Sequence, residues 1–219
     1  MSVGASLRRA ARDFYGQSWR LLVLNAALSA FVLGVVVAGL WVPPVLALLV
    51  LAGPLAAGLM HCAVTVAQTG DLGLRDAVTG VRVHWRRGLV LGGVVLAAAA
   101  GALFAVPFYA GLGGLGWALA LAALYLAAAF AILQLELWPL AVSEPERPLK
   151  VVARESLADL LRRPGPASVL ALALLAINLV GIAAAAIPFL TLTVAYSFLA
   201  AAHFALPRPD PGGATAWPA

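Results

Sequence analysis

The sequence predicts an all-α polytopic integral membrane protein, and three observations support this prediction. Of the 219 residues, 63% are hydrophobic and 11% are charged, whereas soluble domains have about 45–50% apolar and about 25% charged residues. The mean hydropathy is +1.01. The charged residues leave three uncharged segments, 21–70, 88–134 and 164–207, and each is long enough for two helices of about 20 residues that cross a bilayer. This composition argues against a water-soluble enzyme.

Proline and glycine divide each uncharged segment into two spans. Pro43 and Pro44 interrupt the first segment, because proline donates no backbone hydrogen bond and the residue before it avoids the helical conformation. Pro107 with the glycine-rich stretch 111–116 divides the second segment, and Pro188 divides the third. The predicted spans are 21–42, 45–67, 89–108, 117–142, 167–187 and 189–206. They form one domain over 1–206, and the Pro- and Gly-rich residues 207–219 are expected to be a disordered tail.

The distribution of basic residues predicts the orientation. The three short connections around Pro43, Gly113 and Pro188 carry no charge. All 14 Lys and Arg residues lie in the N-terminal segment, in 71–87, in 147–163 and at Arg208. By the positive-inside rule, this side is cytoplasmic. We therefore expect six spans with both termini, including the tail, in the cytoplasm, and we read the net charge of +5 as a result of topology, with no nucleic-acid partner.

Tryptophan spacing agrees with these spans. Trp19 and Trp41 are 22 residues apart, and Trp117 and Trp138 are 21 residues apart, so each pair brackets about 32 Å of helix. Because tryptophan favours the two headgroup regions, we expect all four side chains to lie at the membrane surfaces.

Two basic segments are predicted to be amphipathic helices at the cytoplasmic membrane surface. In 71–87, apolar residues recur at helical spacing, at Leu74, Val78, Val81 and Trp85. The segment 148–163 has a similar apolar stripe. Their cations are expected to contact anionic lipid headgroups or a partner subunit: Arg75, Arg82, Arg86, Arg87, Arg162 and Arg163. The alternative is that both helices only fix the angle at which the spans enter the membrane.

Four polar residues, Asn25, His61, Glu136 and His203, each lie about 7–10 Å from the cytoplasmic end of a predicted span at helical rise. Polar groups in lipid are costly and usually face protein or water. One interpretation is a cavity in which they bind a proton or a solute, or in which His61, His203 and Glu136 hold a metal ion. The other is hydrogen bonding between helices, with Glu136 extending toward the interface.

Motifs for catalysis or nucleotide binding are absent from the sequence. The glycines of 111–116 follow a predicted span rather than a strand, so they indicate a turn and not a phosphate-binding loop. Cys62 is the only cysteine, which excludes an intrachain disulfide. We expect no catalytic residues, no cofactor and no resident metal.

Several short segments resemble the YesL-like family of bacterial membrane proteins, whose activity is unassigned. They are Leu22–Asn25, Gly53–Ala57, the basic stretch from Leu74 to Arg87, and Glu136–Leu140 followed by an acidic turn and an amphipathic helix. The resemblance covers most of 14–206. It implies a multi-span protein of the bacterial plasma membrane, found in the context of carbohydrate uptake, and it implies no catalytic residue.

These observations lead to one functional expectation and one alternative. We expect a non-enzymatic accessory or stabilising component of a membrane complex, with membrane lipids and other subunits as its partners. The alternative is a small-solute or proton-coupled transporter that uses the polar residues within the spans.

Overall fold

The computed structural model describes residues 3–183 and 192–206, and these residues form helices and no β-strand. The α-helices of this part of the chain are α1 (Val3–Trp41), α2 (Ala52–Thr69), α3 (Leu74–Gly111), α4 (Leu115–Ser143), α5 (Leu149–Arg162), α6 (Pro164–Ala183) and α7 (Val194–Ala205). A 3-10 helix, Pro43–Leu51, precedes α2. The predicted all-α fold is confirmed.

Five stretches of the described chain are long and apolar enough to cross a membrane: Trp19–Trp41, Pro43–Thr69, Arg75–Gly111, Leu115–Ser143 and Pro164–Ala183. Helix α7 is apolar but shorter. Residues 184–191, with the predicted break at Pro188, and the predicted tail 207–219, with Arg208, lie outside the described residues. Five of the six predicted spans therefore have a counterpart of sufficient length, and the sixth is described only from residue 192.

Two of the predicted breaks lie where the structure turns. Helix α1 ends at Trp41, and only Val42 separates it from Pro43 and Pro44. Between α3 and α4, Gly113 and Gly114 have φ angles of 65° and 44°, a left-handed backbone region that glycine enters without steric cost. The glycine-rich stretch is therefore a turn, as predicted.

The structure differs from the prediction at the first basic segment, which is not a separate surface helix. Helix α3 runs without interruption from Leu74 to Gly111, so the segment is the first part of a long helix that continues into the predicted third span. Its start is fixed by Asp76, whose carboxylate accepts a hydrogen bond of 2.6 Å from the Gly73 N–H. The second basic segment does form a helix of its own, α5.

Helix α2 is the centre of the bundle. Eleven of its eighteen residues are buried, and it packs against α1, α3, α4 and α7. It approaches α3 so closely that a Cβ atom added to Gly53 would lie 2.1 Å from the Gly88 oxygen, and one added to Gly58 would lie 3.2 Å from the Ala77 oxygen. Small residues permit such an approach between helices. The second half of α2 therefore lies beside the arginine-bearing part of α3.

The halves of α1, α3 and α4 nearest the turns at Pro43 and Gly113, which we call the outer halves, expose large apolar side chains. Leu103, Phe104 and Leu126 are more than two-thirds exposed, and Trp41 is 85% exposed. Large apolar surfaces of this kind are typical of helices that face lipid. Trp138, in contrast, is only 8% exposed and packs in the helical core.

Candidate functional site

The four predicted polar residues lie in different surroundings. Asn25, on α1, is completely buried, on the same helix face as the buried Leu21. His61, Glu136 and His203 each have a neighbourhood of their own, described below. Of the four, His61 and His203 lie beside His84 and Asp13, and Glu136 lines a cleft.

His61 on α2 lies beside His84 on α3, with ring centroids 5.3 Å apart. His84 is only 1% exposed, and its Nδ1 atom has no hydrogen-bond partner among the described residues. His84 was not predicted as a functional or buried residue, because 71–87 was interpreted as an amphipathic helix lying at the membrane surface. The available signal was the spacing of Ala77, His84 and Leu91, one residue every two turns, which the structure shows to be the buried face of α3.

His203 on α7 contacts the N-terminal part of α1. Its Nε2 atom lies 2.9 Å from a carboxylate oxygen of Asp13, and the His203 side chain is 4% exposed. Tyr196 lies two helical turns before His203 on α7. Its hydroxyl donates a 3.0 Å hydrogen bond to the Leu7 carbonyl oxygen, and its ring packs edge to face against the Phe14 ring. These polar contacts attach α7 to the start of α1.

Arg87 differs from the other predicted lipid-contacting arginines. Its guanidinium donates hydrogen bonds of 2.8 Å and 3.0 Å to the carbonyl oxygens of Ala141 and Glu144, and it also contacts those of Pro145 and Arg147. The last carbonyl groups of a helix have no partner within the helix. Arg87 therefore binds the end of α4 and joins it to α3, and both terminal nitrogens are used in doing so.

The chain after α4 carries a second set of contacts. The Arg147 guanidinium lies 2.5 Å from the Glu144 carboxylate and also contacts Glu155 on α5. These hydrogen bonds, first from Glu144 and then from Glu155, raise the pKa of Arg147. This side chain stays charged and holds α5 against the end of α4.

Other arginines predicted as lipid or partner contacts remain at the surface of α3. Arg75 and Arg82 are exposed and form no hydrogen bond or ion pair within the described residues. The Arg86 guanidinium lies 5.3 Å from the centre of the Trp85 ring. Val78 and Trp85, predicted to belong to the apolar face of an amphipathic helix, are 56% and 47% exposed. We call this group of residues the basic face of α3: Arg75, Val78, Arg82, Trp85 and Arg86.

Glu136 lines a cleft of about 420 Å³ where α4, α5, α6 and α7 meet. The cleft also contains Asp159 and Arg163, together with the apolar side chains of Leu140, Pro166 and Phe204. Glu136 is 7% exposed, and its Oε2 atom accepts no hydrogen bond from the described residues. Of the predicted contact residues, the structure thus places Arg163 together with Glu136, while Arg162 pairs with Asp159 at 3.6 Å.

A second cavity, of about 320 Å³, lies between α2, α3, α4 and α7 and has mostly apolar walls, including Met60, Trp138 and Phe198. Near it, the Asn178 amide on α6 donates a 2.9 Å hydrogen bond to the Ser197 hydroxyl on α7. The sequence analysis did not predict this cavity, because its walls are ordinary apolar and small residues from four helices.

No three His, Cys, Asp or Glu side chains of the described residues are grouped so that they could hold a metal ion. The arrangement of His61, His203 and Glu136 that the sequence analysis considered is therefore not formed. The helices and the lipid-type surface define the class of this protein as an all-α polytopic membrane protein. Comparison with protein-family models, curated proteins and solved structures gave no match.

Proposed function

We propose that this protein is a non-enzymatic component of a membrane complex, which it stabilises through the basic face of α3. The observation that supports this proposal is the contrast among the arginines. Arg87 and Arg147 bind groups of their own chain, whereas Arg75, Arg82 and Arg86 are exposed next to exposed Val78 and Trp85. Arginine and tryptophan together are the side chains most enriched at the centres of protein interfaces.

The proposed setting is the bacterial plasma membrane, with both termini on the cytoplasmic side. The uncharged turns at Pro43 and at Gly113, opposite the arginine-bearing segments, support this orientation. The resemblance to YesL-like proteins supports a carbohydrate-transport complex as the partner. In this arrangement the basic face lies in or near the layer of anionic headgroups, where each cation is also attracted to lipid.

Quantitative purification in mild detergent tests this proposal. Wild-type protein should retain the same subunits in fixed proportion, and replacing Arg75, Arg82 and Arg86 together by Gln should remove them. A matched control replaces Arg8, Lys150 and Arg154 by Gln, which removes the same charge from other parts of the surface. If the wild type purifies alone, or if both triple variants lose the subunits equally, the proposal is wrong.

A second candidate function is transport of a proton or a small solute. The cleft at Glu136 favours it, because a buried carboxylate with one oxygen lacking a protein hydrogen bond is typical of intramembrane proton and ion sites. Proteoliposomes with a trapped pH-sensitive dye test this function. Proton flux that Glu136→Gln abolishes and Glu146→Gln preserves would support it, and equal flux in protein-free vesicles would exclude it.

A further inference from the structure

The cleft between α4, α5, α6 and α7 contains a buried carboxyl group and an exposed guanidinium that are not in direct contact. Glu136 is buried and Arg163 is exposed at the rim, and no ion pair joins them in the described chain. Asp159, the other carboxylate in the cleft, is paired with Arg162. A buried carboxylate without a partner is unfavourable, so a ligand that brings a hydrogen-bonding cation to Glu136 gains a favourable interaction there.

The other end of the cleft favours an anion. Arg163 directly precedes α6, a helix of 20 residues, and Pro166 of its first turn lines the cleft. Pro164 and Pro166 have no backbone N–H group, so the hydrogen-bond donor for an anion at this end of the cleft is the Arg163 guanidinium. A guanidinium binds phosphate through charge-assisted hydrogen bonds.

We infer that this cleft binds a small zwitterion that carries a primary ammonium group and a phosphate ester, as in the headgroup of an ethanolamine phospholipid. The ammonium group donates hydrogen bonds to the Glu136 carboxylate, and the phosphate accepts hydrogen bonds from Arg163. Leu140, Pro166 and Phe204 pack against the carbon atoms of the ligand. The cleft volume of about 420 Å³ falls within the range of small-molecule sites, about 300–1,000 Å³.

The position of the cleft favours the lipid over free phosphoethanolamine. Helix α6 is a candidate span that begins at Pro164, and its 20 residues match a hydrocarbon thickness of about 30 Å at helical rise. Arg163 therefore lies at the level of the headgroups. The inference does not rest on the proposed accessory role, since the cleft and the basic face of α3 are made of different residues.

Lipid binding to the purified full-length protein tests the inference. Delipidated protein is titrated with phosphatidylethanolamine or phosphatidylcholine of identical acyl chains, and bound lipid is counted by native mass spectrometry. Phosphatidylcholine has the same phosphate and the same charge, but its quaternary ammonium group cannot donate a hydrogen bond. We expect the ethanolamine lipid to bind one site about tenfold more tightly, because hydrogen bonds to a charged group belong to the strong class.

Two substitutions separate the two halves of the site. Glu136→Gln should reduce the preference for the ethanolamine lipid to nearly one, and Glu146→Gln, which removes an exposed carboxylate, should leave it unchanged. Arg163→Gln should weaken both lipids by a similar factor, with Arg154→Gln as its control. Because Arg163 is exposed, its variant tests the site even where Glu136→Gln disturbs folding, which size-exclusion chromatography and circular dichroism detect.

Competition with free phosphoethanolamine identifies the source of the ligand. If millimolar phosphoethanolamine does not displace the lipid, the headgroup of a membrane lipid is the ligand. If it does displace the lipid, the same chemistry is recognised in a soluble compound. Equal binding of the two lipids by wild-type protein, or an unchanged preference in both Glu136→Gln and Arg163→Gln, would overturn the inference.

Discussion

At the scale of single residues, Arg87 is a cation whose hydrogen bonds are made within the protein. Arg87 donates to the carbonyl oxygens at the end of α4, and this makes it a link between α3 and α4 rather than a free surface charge. Its neighbour Arg86 is exposed and packs on Trp85. Arg86 and Arg87 therefore have different physical roles, although the sequence predicts the same lipid or partner contacts for both.

We predict that Arg87→Ala lowers the free energy of unfolding by about 2 kcal/mol, since hydrogen bonds to a charged group contribute about 1.5–3 kcal/mol. Arg87→Lys should recover only part of the loss, because an ammonium group cannot span several carbonyl oxygens as a planar guanidinium does. Unfolding in detergent, followed by circular dichroism, measures the change. Arg86→Ala is the control, and an equal loss in both variants would contradict the assigned role.

The pair of Asp13 and His203 leads to a second prediction at this scale. Their atoms are 2.9 Å apart and both side chains are mostly buried, so a double-mutant cycle with Asp13→Ala and His203→Ala should give a coupling free energy of about 1 kcal/mol. The exposed pair of Asp159 and Arg162, 3.6 Å apart, should give less than about 0.5 kcal/mol. Additive effects of Asp13→Ala and His203→Ala would show that the contact does not stabilise the fold.

At the scale of elements, the contact between α2 and α3 depends on glycines that face each other. A Cβ atom added to Gly92 would lie 2.6 Å from the Gly53 Cα atom, whereas one added to the adjacent Gly93 would have its nearest contact at 3.9 Å. We predict that Gly92→Ala destabilises the protein by about 1–3 kcal/mol through overpacking. Gly93→Ala should be neutral or stabilising by about 0.5–1 kcal/mol, because alanine favours the helix. Thermal unfolding of the two variants distinguishes them, and a similar result for both would contradict the close approach.

The same contact explains which elements could be predicted from the sequence. Breaks at Pro43 and at Gly113 follow from local backbone chemistry, so they were predicted. The continuity of α3 through Gly80, Gly88 and Gly92 was not predicted, because glycine lowers helix propensity. Only the close packing against α2 makes glycine favourable at these positions. For this reason 71–87 was predicted to be a separate helix at the membrane surface, and His84 was missed.

The candidate site was predicted in part for a similar reason. Glu136 was identified, since a carboxylate within an apolar helix is visible in the sequence. Its neighbours Asp159 and Arg163 come from α5 and the start of α6, and their position in the cleft depends on how α5 folds back on α4. Helical spacing does not determine that packing, so the sequence separated residues that the structure brings together.

At the scale of the whole molecule, the structure has two parts with different surroundings. Around α2 the helices bury one another, whereas the ends of α3 and α4 near the turn at Gly113 expose Leu112 and Leu115. The first part carries most of the charges and the second part carries none between Gly88 and Gln134. This division places the apolar layer of a membrane around the outer halves of the helices. By the positive-inside rule, we propose that the charged part faces the cytoplasm.

Cysteine labelling in intact cells tests this orientation. The native Cys62 is completely buried, so it contributes little background, and Cys62→Ala removes it entirely. In that background we predict that a membrane-impermeant maleimide labels Leu112→Cys, a position 63% exposed, without permeabilisation. Lys150→Cys, at an exposed position in the first turn of α5, should be labelled only after the cells are permeabilised. The reverse pattern would show that the protein has the opposite orientation in the membrane. The basic face of α3 would then not lie at the cytoplasmic lipid layer.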